Sequence, residues 1–354
     1  MIEESRRHHP RKPRRGDLPI ATIAELAGVS PPTVSKVLNG RAGVGEQTRQ
    51  RVEALLRDHG YRRPETAART LCIEVLFHQM LSSIALEILR GIQEVAGSRD
   101  CTVGFIDIRH RVAAELPWME PLLLRQPTAV IAVCSLVTAE HGRQLTAMGI
   151  PLVAIDPVGE LFPTPAVGSN NWSGALAATR HLLDLGHRRI GVVTGPQQDL
   201  SARARLDGFR AALDHAGVPF DGSLERRGVF SFEDGRDLGR ELLTLPEPPT
   251  AVVCGNDLQA LGVYAAAHEA GLRIPDDLSV VGFDDVDQAT WTTPPLTTVR
   301  QPFSEIGATA ARLALALADG HSLPQERYEL GTALVVRGST GPPGSRRPDA
   351  ALRP

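Results

Sequence analysis

Polar side chains and one aromatic follow the apolar runs of a long segment in which strand-like and helix-like patterns alternate. In chain order they are His78 with Gln79, Asp107, Asp156, Phe230, Asn256 with Asp257, and Asp284 with Asp285. Carboxylates and amides pair with hydroxyl groups, and an aromatic ring stacks on the apolar face of a sugar or a base. Because ligands of open α/β sheets bind outside the carboxyl ends of the strands, this set predicts a sugar or nucleoside site.

Some of these residues have simpler alternative roles. Phe230 could be an ordinary core residue, and Asp257 and Asp285 are more readily helix caps than ligand contacts. The chain has only three Trp and three Tyr, which argues against a platform of many aromatic rings. Trp172 and Trp291 could still line a cleft.

The elements that must position these residues alternate along the chain. Strand-like runs are "IEVLF", "TVGFID", "AVIAV", "LVAID", "RIGVVTG", "RRGVF", "AVVCG" and "SVVGFD". Amphipathic stretches between them span 84–96, 174–185, 202–216, 234–245 and 257–270. Apolar strands that alternate with helices are typical of parallel sheets covered on both faces. Two such sets of strands predict two α/β lobes.

The beginning of the chain has a different pattern, with two short helices that meet at a glycine. Ala24 and Gly28 form a small–x–x–x–Gly pair, in which the glycine can adopt a positive φ in the turn. Ser30 suits an N-cap, and Pro31 suits the first position of the second helix. A third helix is predicted at roughly 46–59. The spacing predicts a helix-turn-helix.

The second helix has an apolar stripe and a more polar face. The stripe is Val34, Val37 and Leu38, and the opposite face is Pro31, Pro32, Ser35, Lys36 and Asn39. Residues 1–69 hold 14 Lys and Arg against 8 Asp and Glu, whereas the remainder holds 24 against 33. A basic head on an acidic body predicts a polyanionic partner for the head, and a short outward helix fits the DNA major groove. The alternative is a small structural cap with solvated arginines.

The motifs of both parts resemble one family. "TIAELAGVSPPTVSKVLNG" with "TRQRVEALLRDHGYRRP", and then "GHRRIGVVTGP", "SARARLDGFRAAL", "CGNDLQALG" and "LSVVGFDDVDQATWTTPPLTTVRQP", are similar to LacI/GalR-family bacterial transcriptional regulators over roughly residues 20–340. The resemblance implies a small all-α helix-turn-helix head and an α/β two-lobed periplasmic-binding-protein-like (type I) effector domain. It also implies a homodimeric, cytoplasmic DNA-binding repressor whose operator affinity a small-molecule effector, a sugar by analogy, controls.

The resemblance also implies roles for individual residues. The DNA-binding set is Thr22, Ser30, Pro31, Pro32, Thr33, Ser35, Lys36, Asn39, Arg49, Tyr61, Ala68 and Leu71. Ser201 and Arg205 join the strand-end residues in an effector-binding set of His78, Gln79, Asp107, Ser201, Arg205, Phe230, Asn256 and Asp284. At two places the sequence departs from the pattern of the family. Pro31 and Pro32 occupy base-reading positions without offering a hydrogen bond, and "HQMLSSIA" replaces the usual apolar cluster after the first strand.

The segment between head and body resembles the family's hinge helix. "PETAARTL" (Pro64–Leu71) places Ala68 and Leu71 at the small-residue and minor-groove wedge positions. Since "CIEVLF" already reads as a strand, Leu71 could instead pack at the start of that strand. We expect a hinge that is shorter and stiffer than in other members.

The domain boundaries follow from these patterns. We expect a disordered basic arm at 1–19, the helix-turn-helix domain at 20–62, a hinge segment at 63–72, a two-lobed effector-binding and dimerisation domain at 73–340, and a disordered tail at 341–354.

Other classes of protein fit the sequence less well. No Gly-x-Ser-x-Gly elbow, P-loop or metal-ligand spacing accompanies the carboxylates, so neither catalysis nor a metal or other cofactor is expected. His181 and His187 lie in contexts that favour surface positions. The four cysteines form no CxxC pair, and no apolar run is long enough for a membrane span. The main alternative is a sugar- or nucleoside-binding solute receptor without DNA function.

Overall fold

The computed structural model describes residues 20–38, 44–58, 71–77, 83–108, 118–133, 137–157 and 164–344. Contacts divide the chain into two units, Met1–Thr70 and Leu71–Pro354, which we call the head and the body. Within the described ranges, no helix is both long and apolar enough to cross a membrane.

Three helices form the described part of the head. They are α1 (Ile20–Ala27), α2 (Pro31–Leu38) and α3 (Glu46–Asp58). One core joins them, made of Ile23, Ala24, Ala27, Val34, Val37, Val52 and Leu56. In the turn after α1, Gly28 has φ of +66°, and the Val29 N–H donates to the Ala24 carbonyl at 3.0 Å. The predicted helix-turn-helix is confirmed, because the glycine permits the tight turn that brings α1 and α2 onto a shared core.

The first lobe of the body is built on a six-stranded parallel sheet. Its strands are β1 (Cys72–Phe77), β2 (Thr102–Asp107), β3 (Ala129–Val133), β4 (Leu152–Ile155), β5 (Ala166–Ser169) and β11 (Arg327–Leu330). The spatial order is β11-β5-β4-β3-β1-β2. Val75 and Leu76 are both fully buried but belong to different apolar clusters, so the sheet is covered on both faces as predicted.

Four helices of the described residues pack on this first sheet. They are α4 (Ser83–Gly97), α5 (Met119–Arg125), α6 (Ala139–Ala147) and α12 (Phe303–Ala318). The axes of α4 and α12 approach so closely that a Cβ on Gly307 would lie 2.2 Å from the Ile88 carbonyl oxygen. A helix from late in the chain therefore completes the core of the first lobe.

The second lobe has a sheet of the same size. Its strands are β6 (Ile190–Thr194), β7 (Glu225–Arg227), β8 (Ala251–Cys254), β9 (Ser279–Asp284), β10 (Thr297–Arg300) and β12 (Ala333–Val335), in the order β12-β10-β9-β8-β6-β7. Only the pairing of β12 with β10 is antiparallel among the described pairs. The helices are α7 (Asn171–Asp184), α8 (Leu200–His215), α9 (Phe232–Leu243), α10 (Asp257–Glu269) and the short α11 (Gln288–Trp291).

The chain passes between the two lobes three times, at 169–171, 300–303 and 330–333. We call these segments the crossovers. The alternation pattern of the sequence misses the elements around them, which are β5, β10, β11, β12 and α12, and it also misses α5 and α6. The missed strands are short, and β5, β10 and β11 carry polar or charged residues, whereas the equally short β4 and β8 are wholly apolar.

Two boundaries in the body differ from those predicted. The body begins at Leu71, whose carbonyl accepts the Thr102 N–H at 2.8 Å and whose side chain packs on the first-lobe core. The last two residues of the predicted hinge segment therefore belong to the body. Of the two roles that the sequence leaves open for Leu71, the structure places the side chain in the core, and the minor-groove wedge stays a prediction.

The predicted disordered tail starts too early. Residues 341–344 pack on the second lobe, where the Gly341 N–H donates to Ser279 Oγ at 3.1 Å and Gly341 O lies 2.9 Å from His187 Nε2. His187 is only 1% exposed, and its Nδ1 lies 2.8 Å from Thr250 Oγ1, so the predicted surface position is wrong. Hydrogen bonds to both ring nitrogens allow the imidazole to be buried. Residues 345–354 lie outside the described part of the chain.

Two glycines of the head provide a matched test of the turn. A Cβ would have no neighbour within 4 Å at Gly28 or Gly45, but only Gly28 has a positive φ. We expect Gly28→Ser to destabilise the head by about 1 kcal/mol, because a side chain there is strained in the left-handed region. Gly45→Ser, just before α3, should be neutral or slightly stabilising because serine is a better N-cap. Hydrogen exchange of head peptides measures both variants, and equal effects would contradict the prediction.

Candidate functional site

The outward face of α2 is the candidate nucleic-acid surface in the head. Pro31, Pro32 and Lys36 are exposed, whereas Thr33 and Ser35 are partly buried. Ser30 lies directly before α2, as predicted for an N-cap, and its carbonyl accepts the Thr33 N–H at 2.9 Å. A cationic side chain beside an apolar proline pair is therefore presented to solvent.

The remaining residues of the predicted DNA-binding set come before or after α2 in the chain. Thr22 on α1 and Arg49 on α3 are partly buried. Asn39, Tyr61 and Ala68 lie outside the described residues. Their roles stay predictions.

In the body, Arg205 on α8 lies at the centre of the strand ends. Its Nε donates to Asn171 Oδ1 at 2.8 Å, and its Nη1 donates to the Gly255 carbonyl at 2.5 Å. The guanidinium carbon lies 3.9 Å from the centre of the Phe283 ring, and Nη1 lies 3.7 Å from Asp284 Oδ1. Only 11% of the side chain is exposed. We call Arg205 with Asp156, Asn171, Phe230, Asn256 and Asp284 the Arg205 cluster.

Asp284 ends β9 with a φ of +120°. Its Oδ1 accepts the Gln301 Nε2 donor at 2.6 Å. Burial raises the pKa of Asp284 to about 6, although the Arg205 guanidinium and the Gln301 hydrogen bond oppose that rise. The negative charge of Asp156, which belongs to the first lobe, adds to the rise.

Asp156 follows β4 in the first lobe with a φ of +42°. Its carboxyl sits against Gly168, where an added Cβ would lie 2.6 Å from Oδ1. Burial raises the pKa of Asp156 to about 6, and Arg205 and the Ser169 N–H act in the opposite direction. One carboxyl from each lobe therefore interacts with the same guanidinium.

Phe230 lies in the loop after β7, with a φ of +63°. Its ring covers two glycines, since an added Cβ would lie 2.0 Å from a ring carbon at Gly195 and 2.9 Å at Gly255. The Arg205 guanidinium carbon is 5.7 Å from the ring centre. Phe230 is only partly buried, so the structure favours an aromatic wall beside the cluster over an ordinary core residue.

Asn256 supports that aromatic wall. Its Oδ1 accepts the Gln259 N–H at 2.9 Å and so caps α10, while its Nδ2 donates to the Phe230 carbonyl at 3.0 Å. The amide therefore ties the Phe230 loop to α10. Its predicted contact with a ligand stays a prediction.

The alternative role as helix caps is wrong for Asp257 and Asp285. Asp257 accepts the Val286 N–H at 2.9 Å and the Thr298 hydroxyl at 2.5 Å, and the N-cap of α10 is the residue before it. Asp285 pairs with Arg300 and Arg337 at 2.6 and 2.5 Å. Both carboxyls link loops and strands distant in sequence, contacts that a local pattern does not contain.

For Asp107, His78 and Gln79 of the predicted effector set, no contact with the Arg205 cluster is described. Ser201, a fourth member of the set, lies beside the cluster. Asp107 ends β2, the edge strand that β1 and β3 separate from β4. His78 and Gln79 lie outside the described residues. Ser201 lines a cavity together with Asp156 and Asn171.

Sequence reasoning missed two polar residues of this region. Asn171 and Gln301 lie in the first and second crossovers and bond directly to Arg205 and Asp284. Both follow four-residue strands that the pattern does not reveal. The described residues contain no group of His, Cys, Asp and Glu able to hold a metal ion.

Comparison with known proteins identifies both units. Residues 20–64 match bacterial regulatory proteins of the lacI family, and residues 179–340 match the periplasmic binding protein-like domain. The ribose operon repressor of Escherichia coli K12 is 33% identical over 325 residues, which cover 90% of this chain and 98% of that protein. The chain belongs to the lacI family. It is a DNA-binding transcriptional regulator with a helix-turn-helix head and a two-lobed α/β body.

Solved structures of lacI-family proteins have the same architecture. A complex of the transcriptional regulator CelR with cellobiose has a TM-score of 0.69 and 29% identity, covering 91% of this chain and 99% of that one. The lac repressor dimer bound to operator and the anti-inducer ONPF has a TM-score of 0.70 and 27% identity, covering 92% and 99%.

The burial of Asp156 leads to a pH prediction. Because its folded pKa of about 6 exceeds the usual 3.8, folding takes up a proton between these values. Stability therefore falls as pH rises through this window, and the loss is complete above it. Asp156→Asn removes the charge and should raise the Tm at neutral pH by roughly 2–4 °C, but not near pH 4. Thermal denaturation at several pH values measures this change.

Asp237→Asn is the matched control. Hydrogen bonding by Arg236 lowers the pKa of this exposed carboxyl, so its removal should not stabilise the protein at neutral pH. A lower Tm of Asp156→Asn at neutral pH would contradict the account of the buried carboxyl.

Proposed function

We propose that this regulator is a repressor whose affinity for its operator is controlled by a small sugar or sugar-like effector bound between the lobes. The single observation that carries the proposal is the Arg205 cluster. A guanidinium held in place by Asn171 and Gly255 lies 3.7 Å from the Asp284 carboxyl of the second lobe and interacts electrostatically with the Asp156 carboxyl of the first.

The chemistry of the cluster suits a polyhydroxylated ring. Asp156 and Asp284 accept hydrogen bonds from hydroxyls, Arg205 donates them, and Phe230 offers an apolar face. Two similar proteins also support a sugar effector, since one is named for a ribose operon and a solved structure is described in complex with cellobiose. The predicted contacts of His78, Gln79, Asp107, Ser201 and Asn256 are part of this proposal.

The head is proposed to bind operator through α2. Lys36 would read base edges in the major groove, and Pro31 and Pro32 would make only apolar contacts, for instance with a thymine methyl. A homodimer places two heads on a two-fold operator. Leu86 on α4 and Phe105 on β2 are exposed apolar residues of the first lobe that such an association would cover.

Effector binding is proposed to change the angle between the lobes and thereby move the segment that enters β1 at Leu71. Operator affinity then changes by the coupling free energy, typically about 1–3 kcal/mol. Whether the effector weakens or strengthens operator binding is decided by which lobe arrangement it favours. We further propose that the protein acts in the cytoplasm and catalyses no reaction, in keeping with its relatives, which are regulators.

The test is fluorescence-polarisation binding to DNA that flanks the protein's own gene, with a panel of sugars and nucleosides. We expect binding that weakens steeply with salt and that at least one sugar shifts. Lys36→Ala should weaken binding by about ten-fold. Arg273→Ala, which removes one positive charge from the exposed surface of the second lobe, is the control and should leave operator binding unchanged.

Each contrary outcome has a separate meaning. No binding to any such fragment would overturn the repressor function and leave a ligand receptor. Salt-sensitive binding that only a nucleoside shifts would overturn the sugar assignment while keeping the regulator.

A further inference from the structure

A cavity lies beside the Arg205 cluster, where the first crossover joins the two lobes. Its volume is ≈ 210 Å³, and its walls include Asp156, Ser169, Asn171, Trp172, Ser201 and Arg327. Asp156 and Asn171 belong to both the cavity and the cluster. A ligand seated at the cluster can therefore extend into this space.

Trp172 gives the cavity an aromatic wall. It is the second residue of α7 and is 44% exposed. Its backbone is fixed, because α8 packs so closely that a Cβ on Gly208 would lie 2.2 Å from the Trp172 carbonyl oxygen. A large apolar ring held at a cavity wall and left open to solvent is suited to stacking on a ligand.

Ser169 adds a second, independent observation. The residue is only 5% exposed, yet its hydroxyl is buried and has no hydrogen-bond partner within the described part of the chain. A buried polar group without a partner costs about 1–3 kcal/mol. A ligand hydroxyl in the cavity would supply the missing partner.

The charges around the cavity select a neutral ligand. Arg327 is the cation of the lining, and Asp156 and Glu329 are carboxylates of the same lining. An anionic ligand would meet at least as much negative as positive charge. Carboxylates, a buried hydroxyl and an indole are instead the combination that recognises a neutral polyol ring.

We propose that this cavity is a subsite for a second glycosyl unit, so that the effector is a neutral disaccharide or longer saccharide whose second ring stacks on Trp172. This inference rests on the proposed sugar-binding function. Ser169 bonds a hydroxyl of that ring, and Trp172 discriminates between effectors of one and two rings.

The test is calorimetric titration of the full-length protein with matched sugars. Maltose and cellobiose are compared with glucose, and lactose with galactose. We expect at least one disaccharide to bind about ten-fold more tightly than its monosaccharide, as one aromatic stacking contact predicts. Trp172→Ala should remove most of that difference and change monosaccharide affinity little, and Ser169→Ala should reduce it in part.

Trp291→Ala is the matched control, because Trp291 is 71% exposed on α11 and does not line the cavity. Equal affinity for disaccharide and monosaccharide, or equal losses in Trp172→Ala and Trp291→Ala, would overturn the subsite and leave the sugar-responsive regulator intact. Failure of every sugar in the panel to bind would overturn both the subsite and the sugar assignment.

Discussion

A buried guanidinium is the constraint around which the body is arranged. Taking a cation out of water costs several kcal/mol unless charges and hydrogen-bond acceptors surround it. The charges and acceptors around Arg205 come from four separate parts of the chain. The acceptors are Asn171 at the start of α7 and the carbonyl of Gly255 after β8, and the negative charges are Asp284 at the end of β9 and Asp156 after β4. The strand ends that carry these groups must therefore converge on one point for Arg205 to be buried with its partners. The same convergence creates a polar site between two lobes.

That arrangement also connects the site to the segments that join the lobes. Asn171 belongs to the first crossover and Gln301 to the second, and each bonds directly to a residue that we propose meets the effector. A ligand that recruits Arg205 or Asp284 changes the hydrogen bonding of these crossovers without an intermediate chain of contacts. Differential stabilisation of two lobe arrangements is what allosteric control requires.

The sequence predicts local features well and distant partnerships poorly. The turn at Gly28 and the strands predicted from the apolar runs other than "RRGVF" follow from short-range patterns, and the structure confirms them. In "RRGVF" only Arg226 and Arg227 belong to a strand, so Phe230 lies in the loop after β7. Asn171 and Gln301 are not predicted because β5 ("AVGS") and β10 ("TTVR") lack the apolar run that marks the equally short β4 and β8. The sequence favours helix caps for Asp257 and Asp285 over ligand contacts, because their actual partners, such as Thr298 and Arg337, come from other parts of the chain. Burial of His187 depends likewise on Gly341, far from it in sequence.

The most direct test of the account is the coupling between operator and effector, measured by titrating the active sugar with and without saturating operator. Wild type and Arg203→Met, which removes an exposed arginine of α8, should show operator shifting sugar affinity by the same factor by which sugar shifts operator affinity. Arg205→Met should still bind operator but lose the sugar and the coupling. Retention of wild-type coupling in Arg205→Met would contradict the central role of the buried guanidinium.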